Sequence, residues 1–140
     1  MTMRYEILEE EKYKYRLTGY FAVNLPMPFD LYTVRTAYIH LSQGRLVLAE
    51  GYAWDGASWP AIDTRTFMRG SLIHDALYQL IREGELPKEL RIDADKVLKR
   101  ACLADGMWKF RAWYAYKSVR LFGWIMIRPK KESANEEIVL

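Results

Sequence analysis

The sequence predicts an α+β fold: an N-terminal antiparallel β-sheet over residues 1–50, about three helices over residues 58–127, and a tail over residues 128–140. Two observations predict it. In the first fifty residues apolar, aromatic and β-branched side chains recur at period two, in the sets Tyr13, Tyr15, Leu17 and Val34, Thr36, Tyr38, His40, which is the period of a strand with one buried face. Beyond Ser58 the apolar spacing lengthens to three and four, the period of an amphipathic helix. With 140 residues and 51% hydrophobic content the chain is long enough to bury a core, and one domain is expected.

Taken in order, Tyr38–Leu41 and Leu46–Leu48 flank Ser42-Gln43-Gly44-Arg45, the signature of a tight hairpin. Pro26 and Pro28 mark a loop, where a missing N–H costs little. Trp59-Pro60 opens the connection to a first helix over Phe67–Arg82, which Gly84 terminates as a C-terminal cap. A second helix covers Leu90–Ala104 and stops at Asp105-Gly106. A third covers Trp108–Met126, with Trp108, Ala112, Ala115, Val119, Phe122 and Met126 forming one face. The acidic, polar end reads as a frayed tail.

The net charge of +3 is too small to announce a nucleic-acid binder, and no specific nucleic acid is expected as a partner. The charge is nevertheless uneven. Met107–Lys131 carries Lys109, Arg111, Lys117, Arg120, Arg128, Lys130 and Lys131, no acidic residue, and three tryptophans. Such a helix is either a core element with a solvated basic edge or a surface that presses against an anionic membrane. A single cysteine, Cys102, excludes an internal disulfide framework and a thiolate zinc site, and reads as a small buried hydrophobe. No apolar run has signal-peptide or membrane-spanning length, so a cytoplasmic protein is expected.

The chemistry-bearing residues concentrate between Gly51 and Asp95. His74 and Tyr78 are four apart and share a helix face, while Asp75 is turned by about 100° toward the Asp55 loop, so Asp75 is not expected to partner its own neighbour. Asp95 returns on the next helix, where a carboxylate can hold one imidazole nitrogen and leave the other to take a proton from water. Asp93 is the rival for that role. Asp55 and Asp75, with loop carbonyls and water, form an all-oxygen set that suits calcium better than zinc. Asp55 read alone is a turn residue before Gly56. His40 reads as a packing residue of a strand, and Trp54 and Trp59 either as packing residues or as a lip for an acyl chain.

His74-Asp75-Ala76-Leu77-Tyr78, with a Gly/Asp loop about twenty residues earlier and Asp95 about twenty later, resembles secreted phospholipase A2, particularly its short bacterial and fungal forms. The resemblance implies a phospholipase A2-like helical pair in which His74 activates water, Asp75 and Asp55 bind calcium, and Asp95 and Tyr78 order the histidine. It further implies release of a fatty acid from a phospholipid. The wider set, Gly51-Tyr52-Ala53-Trp54-Asp55-Gly56-Ala57-Ser58, His74–Tyr78 and Arg91-Ile92-Asp93-Ala94-Asp95, resembles a family of short bacterial and bacteriophage proteins of unassigned function. That resemblance implies a phage or prophage origin, the host cytoplasm or the virion as location, and phage structural proteins as partners. Two functions follow as expectations: a calcium-dependent lipid or ester hydrolase, or a non-enzymatic tail or assembly protein whose His/Asp cluster is structural. A His-Asp metal phosphohydrolase would need His40 on a helix in an all-helical fold, against the strand pattern around it.

Overall fold

The structure is a computed structural model that describes residues 3–8, 13–56 and 65–128. The end of the Gly51–Ser58 motif, Trp59-Pro60 and the tail from residue 129 lie outside the described residues. The order of elements is β1 (Tyr5–Ile7), β2 (Tyr15–Leu17), β3 (Phe21–Asn24), β4 (Val34–Arg35), β5 (Ile39–Ser42), β6 (Arg45–Leu48), β7 (Ala53–Trp54), α1 (Arg65–Arg82), α2 (Arg91–Ala104) and α3 (Lys109–Phe122). Strands followed by three helices make the α+β fold that the sequence predicts.

The expected single sheet is two antiparallel sheets, one ordered β1-β2-β7 and one ordered β3-β6-β5-β4. The second rests on the hairpin: Ile39 pairs with Leu48 and Ser42 with Arg45, and the two turn residues Gln43 and Gly44 have φ of 49° and 79°. Two positive φ values make this the type of two-residue turn whose twist matches that of the strands. Alternation holds in β2, where Tyr15 and Leu17 are buried around exposed Arg16. It fails between Val34 and His40. The chain turns there, with the Thr36 N–H donating to the Ile39 carbonyl at 2.8 Å, and the phase shifts by one, so Ile39 and Leu41 face inward while Tyr38 is half exposed.

α1 is buried nearly all round, as befits a helix between two layers. One side meets the sheets through Trp54, Leu46, Leu48 and Phe21. The other meets α2, with contacts from Arg69 to Asp105, Gly70 to Leu98 and Cys102 and His74 to Asp95, so the helices run antiparallel. Gly70 matters here because a Cβ would lie 3.2 Å from the Leu98 carbonyl oxygen. Gly84, at φ +79°, ends α1 as expected, the amides of Glu85 and Leu86 both reaching back to the Leu80 carbonyl. α3 covers the remaining side of α2 through Ala112, Ala115 and Val119, beside Phe67, Leu98, Cys102 and Met107. The ends of its expected apolar face depart from this: Trp108 is 84% and Phe122 51% exposed. The helix ends at Phe122, four residues short of the expected Met126, and Trp108 precedes its first turn.

Candidate functional site

The fold brings His74, Tyr78 and Asp95 together at the α1–α2 contact. Asp95 is fully buried, His74 is 3% exposed and Tyr78 1%. One carboxylate oxygen, Asp95 Oδ1, accepts from His74 Nε2 at 2.7 Å and from the Tyr78 hydroxyl at 2.5 Å. The other, Oδ2, accepts from Arg120 Nη1 at 2.8 Å, with Arg91 Nη1 at 3.6 Å. Facing a carboxylate held between two guanidinium groups, Nε2 must carry the hydrogen, which leaves Nδ1 as the basic nitrogen of neutral His74. The imidazole also lies against the Tyr78 ring, centroids 4.0 Å apart. Of the two rivals, Asp95 rather than Asp93 meets the histidine; Asp93 is half-buried in the first turn of α2.

Asp75 is closer to its neighbour than helix geometry predicts. His74 Nδ1 lies 3.9 Å from Asp75 Oδ1, beyond hydrogen-bond length but close for a charge pair. The imidazole is thus placed between two carboxylates. Burial alone would lower the His74 pKa, but the carboxylates of Asp75 and Asp95 on either side of the ring outweigh it and hold His74 above the ordinary histidine value. Burial pushes Asp75 up, His74 opposes that, and the negative charge of Asp55 adds to it, while the Asp55 N–H donates to the Asp75 carboxylate. Asp55, just after β7, therefore sits beside Asp75 as the sequence reading expects. Burial, then the charge of Asp75, raises the Tyr52 pKa. Burial and Asp95 keep the Tyr78 phenol protonated.

Asp55 and Asp75 open into a cavity of about 80 Å³, also lined by Tyr13, Tyr52, Gln79, Arg82 and Met126. That volume holds a few waters or a hydrated ion, not a lipid chain. The carboxylates of Asp55 and Asp75 and the phenols of Tyr13 and Tyr52 are oxygen donors of the kind a hard cation takes, and the Arg82 guanidinium lines the same cavity. Among the described residues no group of three or more His, Cys, Asp or Glu side chains is placed to hold a metal ion. Trp54 is not a lip: it is 1% exposed and its indole N–H donates to Ser71 Oγ at 3.2 Å. His40 lies in β5 opposite Val47.

Arg91 and Arg120 are the residues that sequence reasoning missed. Arg91 also donates to the Val119 and Arg120 carbonyls, at 2.9 and 3.3 Å, fixing the end of α3 against the site. The signal for Arg91 was its spacing of four from Asp95. Arg120 carried none, because its partner is set by how α3 docks. No curated protein and no solved structure matches the chain. A family does match, over residues 32–119, a span that holds Asp55, His74, Asp75, Tyr78, Arg91 and Asp95. The chain belongs to that family, described as Protein of unknown function (DUF1353).

Proposed function

We propose that this protein is a calcium-dependent, phospholipase A2-like lipid-ester hydrolase in which His74 is the general base. The observation that carries the reading is the orientation of one imidazole: its Nε2–H is fixed on buried Asp95, and its other nitrogen faces the Asp75 side. Tyr78 and Arg120 hold Asp95 from both oxygens, so the ring cannot swing or exchange tautomers without losing a buried bond. Nδ1 of neutral His74 takes a proton from a water, the hydroxide attacks the ester carbonyl, and the imidazolium returns the proton to the leaving alcohol. Asp95 stabilises the imidazolium between those events. Asp55 and Asp75 would hold calcium, which when bound supplies polarisation of the ester carbonyl and charge stabilisation of its oxygen. The cavity is too small for an acyl chain, so the chain of a lipid ester would stay outside it.

A second reading, a non-enzymatic phage tail or assembly protein, is favoured by the 3% exposure of His74, which suits a structural polar network. Thermal unfolding of the parent and of Asp75→Asn, in EGTA, calcium, magnesium or zinc, separates the two. At ten times its dissociation constant calcium adds about 1.4 kcal/mol, or roughly 2 to 6 °C. A calcium-selective rise lost in Asp75→Asn, together with ester hydrolysis lost in folded His74→Gln, supports the hydrolase. No rise with any ion and no hydrolysis supports the structural network.

A further inference from the structure

α3 is apolar on two opposite faces. At about 100° per residue, Phe110, Trp113, Tyr114, Lys117 and Leu121 fall within one arc opposite buried Ala112, Ala115 and Val119. That outer arc is open: Phe110 is 75% and Leu121 65% exposed, and Trp124 and Ile125 extend it past the helix end at about half exposure. The ring centroids of Phe110 and Trp113 are 6.1 Å apart. Cations are set among the rings: Lys117 Nζ lies 5.9 Å from the Trp113 centroid and the Arg128 guanidinium 5.4 Å from that of Trp124. No acidic residue occurs between Met107 and Arg128. Exposed apolar side chains gathered on one arc, rather than scattered singly, mark a place of contact.

We propose that this outer face of α3, with Trp124, Ile125 and Arg128, is a docking surface for an anionic lipid bilayer. Charge selects the occupant. A second copy would bring Lys117 and Arg128 against their own like, whereas a sheet of lipid phosphates complements them while the rings enter the headgroup region. Unpaired bases would use the rings, but Leu121 and Ile125 offer no stacking surface. The ridge of one helix is convex and suits a flat, yielding partner. Among the described residues no helix is long and apolar enough to cross a membrane, so the contact is with the bilayer's surface. The face ends next to the site: Met126 lines the Asp55/Asp75 cavity and its carbonyl accepts from Arg82 at 3.2 Å. A bilayer docked here would lie beside the Asp55/Asp75 cavity. Docking itself requires no hydrolysis.

The test is co-sedimentation and tryptophan emission of the full chain with vesicles of phosphatidylcholine alone, or of phosphatidylcholine mixed with phosphatidylglycerol. Binding and a blue shift are expected on the mixed vesicles, with weakening in high salt. Lys117→Glu reverses one charge and weakens binding by more than the roughly fivefold that one cation contributes. Phe110→Ser with Leu121→Ser weakens it roughly a hundredfold, about tenfold for each buried side chain lost. All are exposed positions, so unfolding temperatures stay near the parent's. His74→Gln binds as the parent does, which keeps this result separate from the hydrolase assay. No binding to mixed vesicles, binding indifferent to these substitutions, or concentration-dependent self-association abolished by Phe110→Ser with Leu121→Ser would overturn the proposal.

Discussion

Asp95→Asn is the substitution that most sharply probes how the helices are joined. Asp95 Oδ1 serves His74 and Tyr78, and Oδ2 serves Arg120, all at 2.8 Å or less. An asparagine amide keeps one acceptor oxygen and turns the other into a donor. Whichever way it points, an NH₂ group faces a donor: the imidazole and phenol on one side or a guanidinium on the other. The side chains of Arg91 and Arg120 are 15% and 29% exposed, so water recovers part of their lost charge pairing. Breaking a buried ion pair costs about 3–5 kcal/mol, and partial solvation puts this case near the lower half. At about 3 °C per kcal/mol for a chain of this size, the unfolding midpoint falls by roughly 9 to 12 °C. The assay is thermal unfolding by circular dichroism at neutral pH in chelator, with Asp93→Asn as control, which loses under about 1 kcal/mol of helix-terminus interaction. A fall below about 3 °C for Asp95→Asn, or one no larger than the control's, would refute the idea that this carboxylate is the buried anchor of the site.

Three further outcomes are expected. Gly123→Ala places a Cβ against the Tyr78 hydroxyl and 3.0 Å from Arg91 Nη1, and because Asp95 pins Tyr78 the chain loses about 1–3 kcal/mol, read from urea midpoints; a neutral result would mean that Tyr78 can move aside. Cys102 is fully buried and burial pushes its thiol up to about 12, so Ellman's reagent at mildly alkaline pH reacts only after unfolding; prompt reaction of the native chain contradicts that burial. His74 has a folded pKa above 6.5, so the stability that its protonation contributes is fully present below 6.5 and is lost as pH rises through the folded value. The stability difference between parent and His74→Gln in chelator therefore shrinks as pH rises above 6.5, and a difference that grows would reverse the assigned sign.

What the sequence made legible, and what it left out, follows from the range of the interactions. The hairpin at Gln43-Gly44 and the caps at Gly84 and Gly106 are local, since each needs a residue that accepts positive φ. His74, Tyr78 and Asp95 were readable because helical spacing and a short connection fix which residues meet. The division into two sheets was not, because β7 joins β2 from a distance, with Tyr15 opposite Trp54. The proximity of Asp75 to His74 escaped because a 100° turn between Cβ atoms leaves the reach of the side chains open. Arg120 was hidden by the same cause as the sheets: its partner depends on a docking of α3 that no local pattern encodes.

The most direct test of the hydrolase proposal is release of free fatty acid from mixed phosphatidylcholine and phosphatidylglycerol vesicles, measured for the parent and for folded His74→Gln, each with calcium and with EGTA. Release by the parent in calcium, abolished by EGTA and by His74→Gln while vesicle binding persists, is the predicted result. Equal release by the parent and His74→Gln, or none from a parent that is folded, calcium-loaded and vesicle-bound, would contradict it.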